Sequence, residues 1–133
     1  MGNKPLIAIL DDDAISRLML ANAIESGGMD PVCFNNHRDF LDYTAANKLD
    51  CILLDMNMPG LNGAEVECRL NEIGSTVPVI VVTGDSDIPT ATAALANGAI
   101  EVLTKPVDPL DLLTHVRAAL SQESLSKSEA ISL

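Results

Sequence analysis

Short apolar runs alternate along this chain with stretches in which apolar positions recur every three or four residues. The first run, Leu6-Ile7-Ala8-Ile9-Leu10, is unbroken and stops at Asp11, Asp12 and Asp13. A continuous apolar run of this length predicts a strand buried on both faces. A helix is predicted next over 14–26, with Ile15, Leu18, Met19 and Ile24 as its apolar stripe and Gly27-Gly28 as its stop. The two-part pattern then repeats. Strands are predicted over 31–34, 51–54, 77–82 and 100–103, and helices over 36–46, 63–73, 88–97 and from 109 onward. Residues 56–62, with Pro59, Gly60 and Asn62, read as a loop. Asp108 as N-cap, Pro109 at the first helical position and Asp111 in the first turn mark the start of the last helix. Its apolar stripe is Leu112, Leu113, Val116 and Leu120. Past Ser121 the pattern fades into a Ser-rich stretch. One domain is therefore expected over 4–121, with 122–133 a frayed tail or the start of a linker to a further, output domain.

Doubly apolar strands alternating with helices call for an α/β fold: a (βα)5 doubly wound parallel five-stranded sheet covered on both faces. The length of 133 residues suits one core, and 47% apolar with 20% charged residues is a globular composition. Aromatics are limited to Phe34, Phe40 and Tyr43, so the core is aliphatic. Charge changes the picture more. Eight Lys and Arg against 19 Asp and Glu give a formal −11. That argues against direct nucleic-acid binding, which needs clustered Lys and Arg, and against an anionic membrane surface. It suits cations and basic partner surfaces. No apolar run approaches the roughly 20 residues of a membrane span, and the first residues lack a secretory signal pattern. Cys33, Cys51 and Cys68 form no CxxC pair, which fits reduced thiols in a cytoplasmic protein.

Ligands of open parallel α/β sheets bind at the carboxyl ends of the strands, so the residues found there matter most. The first strand is followed by Asp11, Asp12 and Asp13, the third by Asp55, the fourth by Thr83-Gly84 and the fifth by Lys105-Pro106. Taken singly, an Asp after a strand is often a helix cap, and Asp13 suits that role. Converging on one edge, the carboxylates raise one another's pKa unless a cation compensates. Such an oxygen-rich cluster suits Mg2+, and Lys105 supplies a further compact positive charge.

These four pieces together resemble the receiver domain of two-component response regulators. The resemblance covers about residues 4–120. It rests on Leu10-Asp11-Asp12-Asp13, on Leu53-Leu54-Asp55-Met56-Asn57-Met58-Pro59-Gly60, on Val82-Thr83-Gly84 and on Thr104-Lys105-Pro106. It implies a flavodoxin-like strand order, 2-1-3-4-5. It also implies that Asp55 is a phosphoacceptor, taking its phosphoryl group from a phosphohistidine of a sensor histidine kinase or phosphotransfer protein. Asp11, Asp12, Asp55 and the backbone carbonyl of Asn57 would hold Mg2+ or Mn2+. Lys105 and Thr83 would contact the phosphoryl group, and the Lys105–Pro106 bond would be cis. The chain would act as a signalling switch rather than as an enzyme on other substrates. A phosphorylation-dependent homodimer and an output domain or effector protein are partners that the resemblance leaves open. It places kinase helices against the helix that carries Ile15, Arg17 and Leu18. The small residues Ala91, Thr92, Ala93 and Ala94 suit either plain helix propensity or a second docking face.

The chain departs from the family's pattern at two positions. Many receivers carry an aromatic residue on the fifth strand, three residues before the lysine, where this chain has Val102. The residue after Lys105-Pro106 is Val107, again not aromatic. Two other readings compete. One is a receiver fold used as an interaction module without phosphorylation. The other is a phosphatase of the haloacid-dehalogenase type, which also uses an Asp after a strand. Asn57 is a poor general acid for that chemistry, and the chain leaves no room for a cap domain.

Overall fold

Every predicted apolar run is a strand in the computed structural model, which describes residues 4–56, 63–84 and 88–132. The strands are β1 (Leu6–Leu10), β2 (Asp30–Phe34), β3 (Cys51–Asp55), β4 (Val79–Thr83) and β5 (Glu101–Thr104). The helices are α1 (Ala14–Ser26), α2 (His37–Ala46), α3 (Gly63–Glu72), α4 (Ile88–Ala96) and α5 (Pro109–Ser132), and they alternate with the strands. All pairings are parallel, and the order is β2-β1-β3-β4-β5. This is the expected doubly wound, flavodoxin-like sheet.

Strand periodicity divides the core into two halves. Ile7, Ile9, Cys51, Leu53, Ile80 and Val82 face α1 and α5, where they meet Leu20, Ile24, Leu112, Leu113 and Val116. Ala8, Leu10, Ile52, Leu54, Val79 and Val81 face the other way, against Phe40 of α2, Val66 and Leu70 of α3 and Ala94 of α4. Each fully buried Leu, Ile or Phe contributes about 1.5–3 kcal/mol relative to leaving it exposed. The three central strands carry most such residues, which makes them the rigid platform for whatever stands at their ends.

The elements differ from the sequence reading in three places that bear on function. First, β3, β4 and β5 each run one residue further than predicted, so Asp55, Thr83 and Thr104 belong to the strands. β4 also starts at Val79 rather than at 77, since Pro78 has no N–H for the ladder. Second, the α1 stripe is corrected. Ile15, Leu18 and Met19 are exposed, Ile15 by 71%, and the buried face is Leu20, Ala21, Ala23 and Ile24. Third, α5 continues to Ser132 instead of fading after Ser121, because no Gly or Pro interrupts it. Its start is as predicted: the Asp108 side chain accepts from Leu110 N at 2.8 Å. The glycine pair after α1 splits its work. Gly28 takes the left-handed φ of +80°, while a Cβ at Gly27 would run into the Leu113 side chain. Among the described residues no helix is long and apolar enough to cross a membrane.

Candidate functional site

The three consecutive aspartates after β1 have three different fates. Asp13 is the N-cap of α1 and accepts from Ile15 N at 3.3 Å. Asp12 is exposed. Asp11 is 1% exposed and continues the β1 alternation onto the face shared with α1 and α5. Its carboxylate is held at both oxygens: Asp13 N donates to Oδ1 at 2.9 Å, and Ser16 Oγ donates to Oδ2 at 2.6 Å. Arg17 Nη1 donates to its main-chain carbonyl at 2.8 Å.

Asp55, 5% exposed, ends β3 next to β1, and Thr83, 1% exposed, ends β4 beyond it. Lys105 follows β5, and its backbone N–H donates to the Thr83 carbonyl at 2.8 Å, which extends the ladder by one step. The Lys105–Pro106 bond is cis, as expected. Lys105 Nζ lies 3.0 Å from Asp11 Oδ2 and 3.5 Å from Asp55 Oδ2. One ammonium therefore bridges the ends of β1 and β3 from the far side of the sheet.

The electrostatics follow from these contacts. Burial pushes the Asp11 carboxyl up. Hydrogen bonds from Ser16, Asp13 N–H and Lys105, with the ammonium charge, outweigh burial and hold the group below the ordinary carboxylate value. Burial pulls Lys105 down, but Asp11 and Asp55 together raise it, so it stays charged at neutral pH. Asp11, Asp12 and Asp55 each offer a carboxylate oxygen, and these oxygens lie within 4.8 Å of one another. Hard oxygen donors this close fit a small divalent cation, bound directly or through its water. Asn57, Pro59 and Gly60, singled out in the sequence, lie outside the described residues, as does 85–87 after β4.

Residues 7–117 match the family described as response regulator receiver domain. The chain belongs to that family. The receiver is 35% identical over 125 residues to the response regulator protein TodT of Pseudomonas putida, covering 94% of this chain and 55% of that protein. It is 34% identical over 132 residues to the transcriptional regulatory protein FixJ of Bradyrhizobium diazoefficiens, covering 98% and 64%. The chain thus spans little more than half the length of such curated relatives. Among solved structures, a response regulator receiver protein from Burkholderia phymatum superposes with a TM-score of 0.79 at 36% identity, over 89% of this chain and 96% of that one. A receiver domain protein from Methanospirillum hungatei gives 0.87 at 22% identity, over 93% and 99%, which speaks for the fold.

Beside the carboxylates the receiver has a groove of about 580 Å³ between α1 and the start of α5, lined by Ile15, Ser16, Met19, Lys105, Pro106 and Leu112 among others. Ile15 and Met19, two residues of the core stripe expected from their spacing, line this groove instead. Val102 packs against the second half of the core and Val107 against the first, so both positions that are often aromatic are filled by short aliphatic side chains. Two features, one at the site and one away from it, were not read from the sequence. Ser16 sits between Ile15 and Arg17 in a predicted helix, where nothing marks it as a partner of Asp11. Glu67, on α3, is 2% exposed, and neither of its carboxylate oxygens has a hydrogen-bond partner among the described residues. Its only sequence signal is its place beside Val66 and three residues before Leu70, on the flank of the buried stripe.

Proposed function

We propose that this receiver is a phosphorylation switch in which Asp55 accepts a phosphoryl group from the phosphohistidine of a sensor histidine kinase or phosphotransfer protein. The observation that carries the reading is the position of Lys105 Nζ, within reach of Asp11 and Asp55 at once, beside the oxygen cluster completed by Asp12. In the transfer an Asp55 carboxylate oxygen attacks phosphorus, the N–P bond breaks, and the imidazole leaves with the bonding pair. The protein needs to do little covalent work in such a reaction beyond positioning and neutralising charge. Asp11, Asp12, Asp55 and the Asn57 carbonyl are assigned to Mg2+, or Mn2+, which supplies charge neutralisation of the phosphoryl oxygens when bound. Lys105 swings its ammonium from Asp11 to a phosphoryl oxygen. The Thr83 hydroxyl takes another oxygen and registers its presence. Asp13 is assigned to capping alone.

The groove between α1 and α5 opens next to Asp55's lysine partner and is lined by the exposed Ile15 and Met19. An apolar groove beside helices suits an amphipathic helix of the kinase or phosphotransfer partner. The relatives are response regulators, one of them named a transcriptional regulatory protein, so the signal is assigned to an output domain or effector protein in the cytoplasm. Homodimerisation on phosphorylation is a further assignment. The test is intact-protein mass after incubation with Mg2+ and acetyl phosphate, alongside Asp55→Asn. One added phosphoryl group, lost with EDTA and in the variant, is expected. No adduct, even with candidate kinases, would move the chain to a phosphorylation-independent interaction module.

A further inference from the structure

Among the described residues, hydroxyl side chains on the helices mostly bond backward along their own helix. Thr44 donates to the Phe40 carbonyl at 2.8 Å, Thr114 to the Leu110 carbonyl at 2.9 Å and Ser26 to the Ala23 carbonyl at 2.7 Å. This is the ordinary local bond of Ser and Thr in helices. Ser16 departs from it. Its hydroxyl leaves the helix and donates to Asp11 Oδ2 at 2.6 Å, five residues back and outside α1. The same oxygen is the one that receives Lys105 Nζ at 3.0 Å. Asp11 Oδ2 therefore has two donors, one fixed to α1 and one on a long, mobile side chain.

That redundancy has a consequence for the switch. When Lys105 turns to a phosphoryl group on Asp55, Asp11 Oδ2 loses its ammonium. A buried carboxylate left with unpaired lone pairs is destabilised. The Ser16 hydroxyl stays, because the backbone of α1 does not need to move, and the Asp13 N–H continues to hold Oδ1. We infer that Ser16 is a positioning residue: it fixes the Asp11 carboxylate in its cation-facing orientation and takes over as the donor to Oδ2 when Lys105 is drawn away. The inference rests on the phosphoacceptor reading above, and it reaches beyond the carboxylates and lysine to a hydroxyl on the first helix.

The test is a Mg2+ titration of the intact chain followed by amide NMR at Asp11, Asp12 and Asp55, for the wild type, Ser16→Ala and Ser16→Thr, with a melting curve of each without Mg2+. Ser16→Ala is expected to raise the Mg2+ dissociation constant about tenfold or more, the size of a hydrogen bond to a charged group. Ser16→Thr, which keeps the hydroxyl, is expected to stay near the wild type. Equal Mg2+ affinity in wild type and Ser16→Ala would overturn the inference. Equal weakening in both variants would overturn it too, since the hydroxyl would then not be the cause. A wild type that does not respond to Mg2+ would bring down the phosphoacceptor reading and this inference with it, whereas the first two outcomes leave that reading standing.

Discussion

Asp12 adds a third negative charge to a pocket in which one ammonium already serves Asp11 and Asp55. Three carboxylates against one lysine leave the site net negative, and like charges this close repel in the folded state. The site is therefore arranged for a cation at some expense in stability, a common compromise at functional sites. The expected outcome is that Asp12→Asn melts higher than the wild type in EDTA, by about 2 °C or more. Adding Mg2+ should then reverse the order. A cation that binds only the folded state stabilises it by about 2.7 kcal/mol at a hundred times its dissociation constant, and the variant lacks a carboxylate to bind it. Melting curves with EDTA and with Mg2+ check both halves. An Asp12→Asn protein less stable than the wild type in EDTA would show that Asp12 supports the fold and does not strain it.

Glu67 raises the same question at the scale of packed elements. It lies on α3 where that helix meets α4 and the turn into β5, and a second contact in this region is Asn71 Nδ2 donating to the Asn97 carbonyl at 3.2 Å. Burial pushes the Glu67 carboxyl up to about 7, weakly opposed by the Ala99 amide, whose N–H is already committed to the Ala94 carbonyl at 3.1 Å. The folded value lies above the unfolded one near 4.5. The folded state thus holds this proton in a pH range where the unfolded chain has released it, and stability falls as pH rises from the unfolded value to the folded one. The loss is at most about 3 kcal/mol. Glu67→Gln should be more stable than the wild type at pH 8 and close to it at pH 4.5. Urea unfolding at the two pH values checks this, and parallel profiles would sink it. The strands were legible in the sequence because both their faces are apolar, so a run such as 6–10 admits one reading. So was the convergence of the candidate site residues, because topology brings strand ends together whatever lies between. Helix faces were less legible. Ile15, Leu18 and Met19 have the spacing of a core stripe yet face solvent, and Glu67 has the polarity of a surface residue yet is buried. Spacing reports that a helix has faces; the sheet and the neighbouring helices decide which one is covered.

Across the whole molecule, the open link lies between the carboxylate site and the surface that a phosphoryl group on it would have to alter. Thr83 ends β4, in register with Thr104 of β5, and Val102 sits two residues earlier on that edge strand. Coupling between distant sites needs an element with two discrete arrangements that both sites can bias. An aromatic ring on β5 can provide one by rotating between a buried and an exposed rotamer. Val102 cannot: its χ1 is stiff, its side chain is short, and it already packs against the core half formed by α2, α3 and α4. On the opposite face of β5, His115 of α5 meets Glu101 at 3.4 Å, in a position to report any rearrangement of the strand. Phosphorylation with acetyl phosphate should therefore shift the amides of Asp11, Asp55, Thr83 and Lys105 strongly. It should move those of Glu101 and Val102, and the His115 ring resonances, distinctly less than the matching positions in receivers that carry the aromatic residue. Amide and imidazole NMR before and after phosphorylation measures both. Shifts at His115 and Glu101 as large as those at Thr83 would mean that the signal crosses β5 by another route, with the strand moving as a unit against α5 and no side chain rotating.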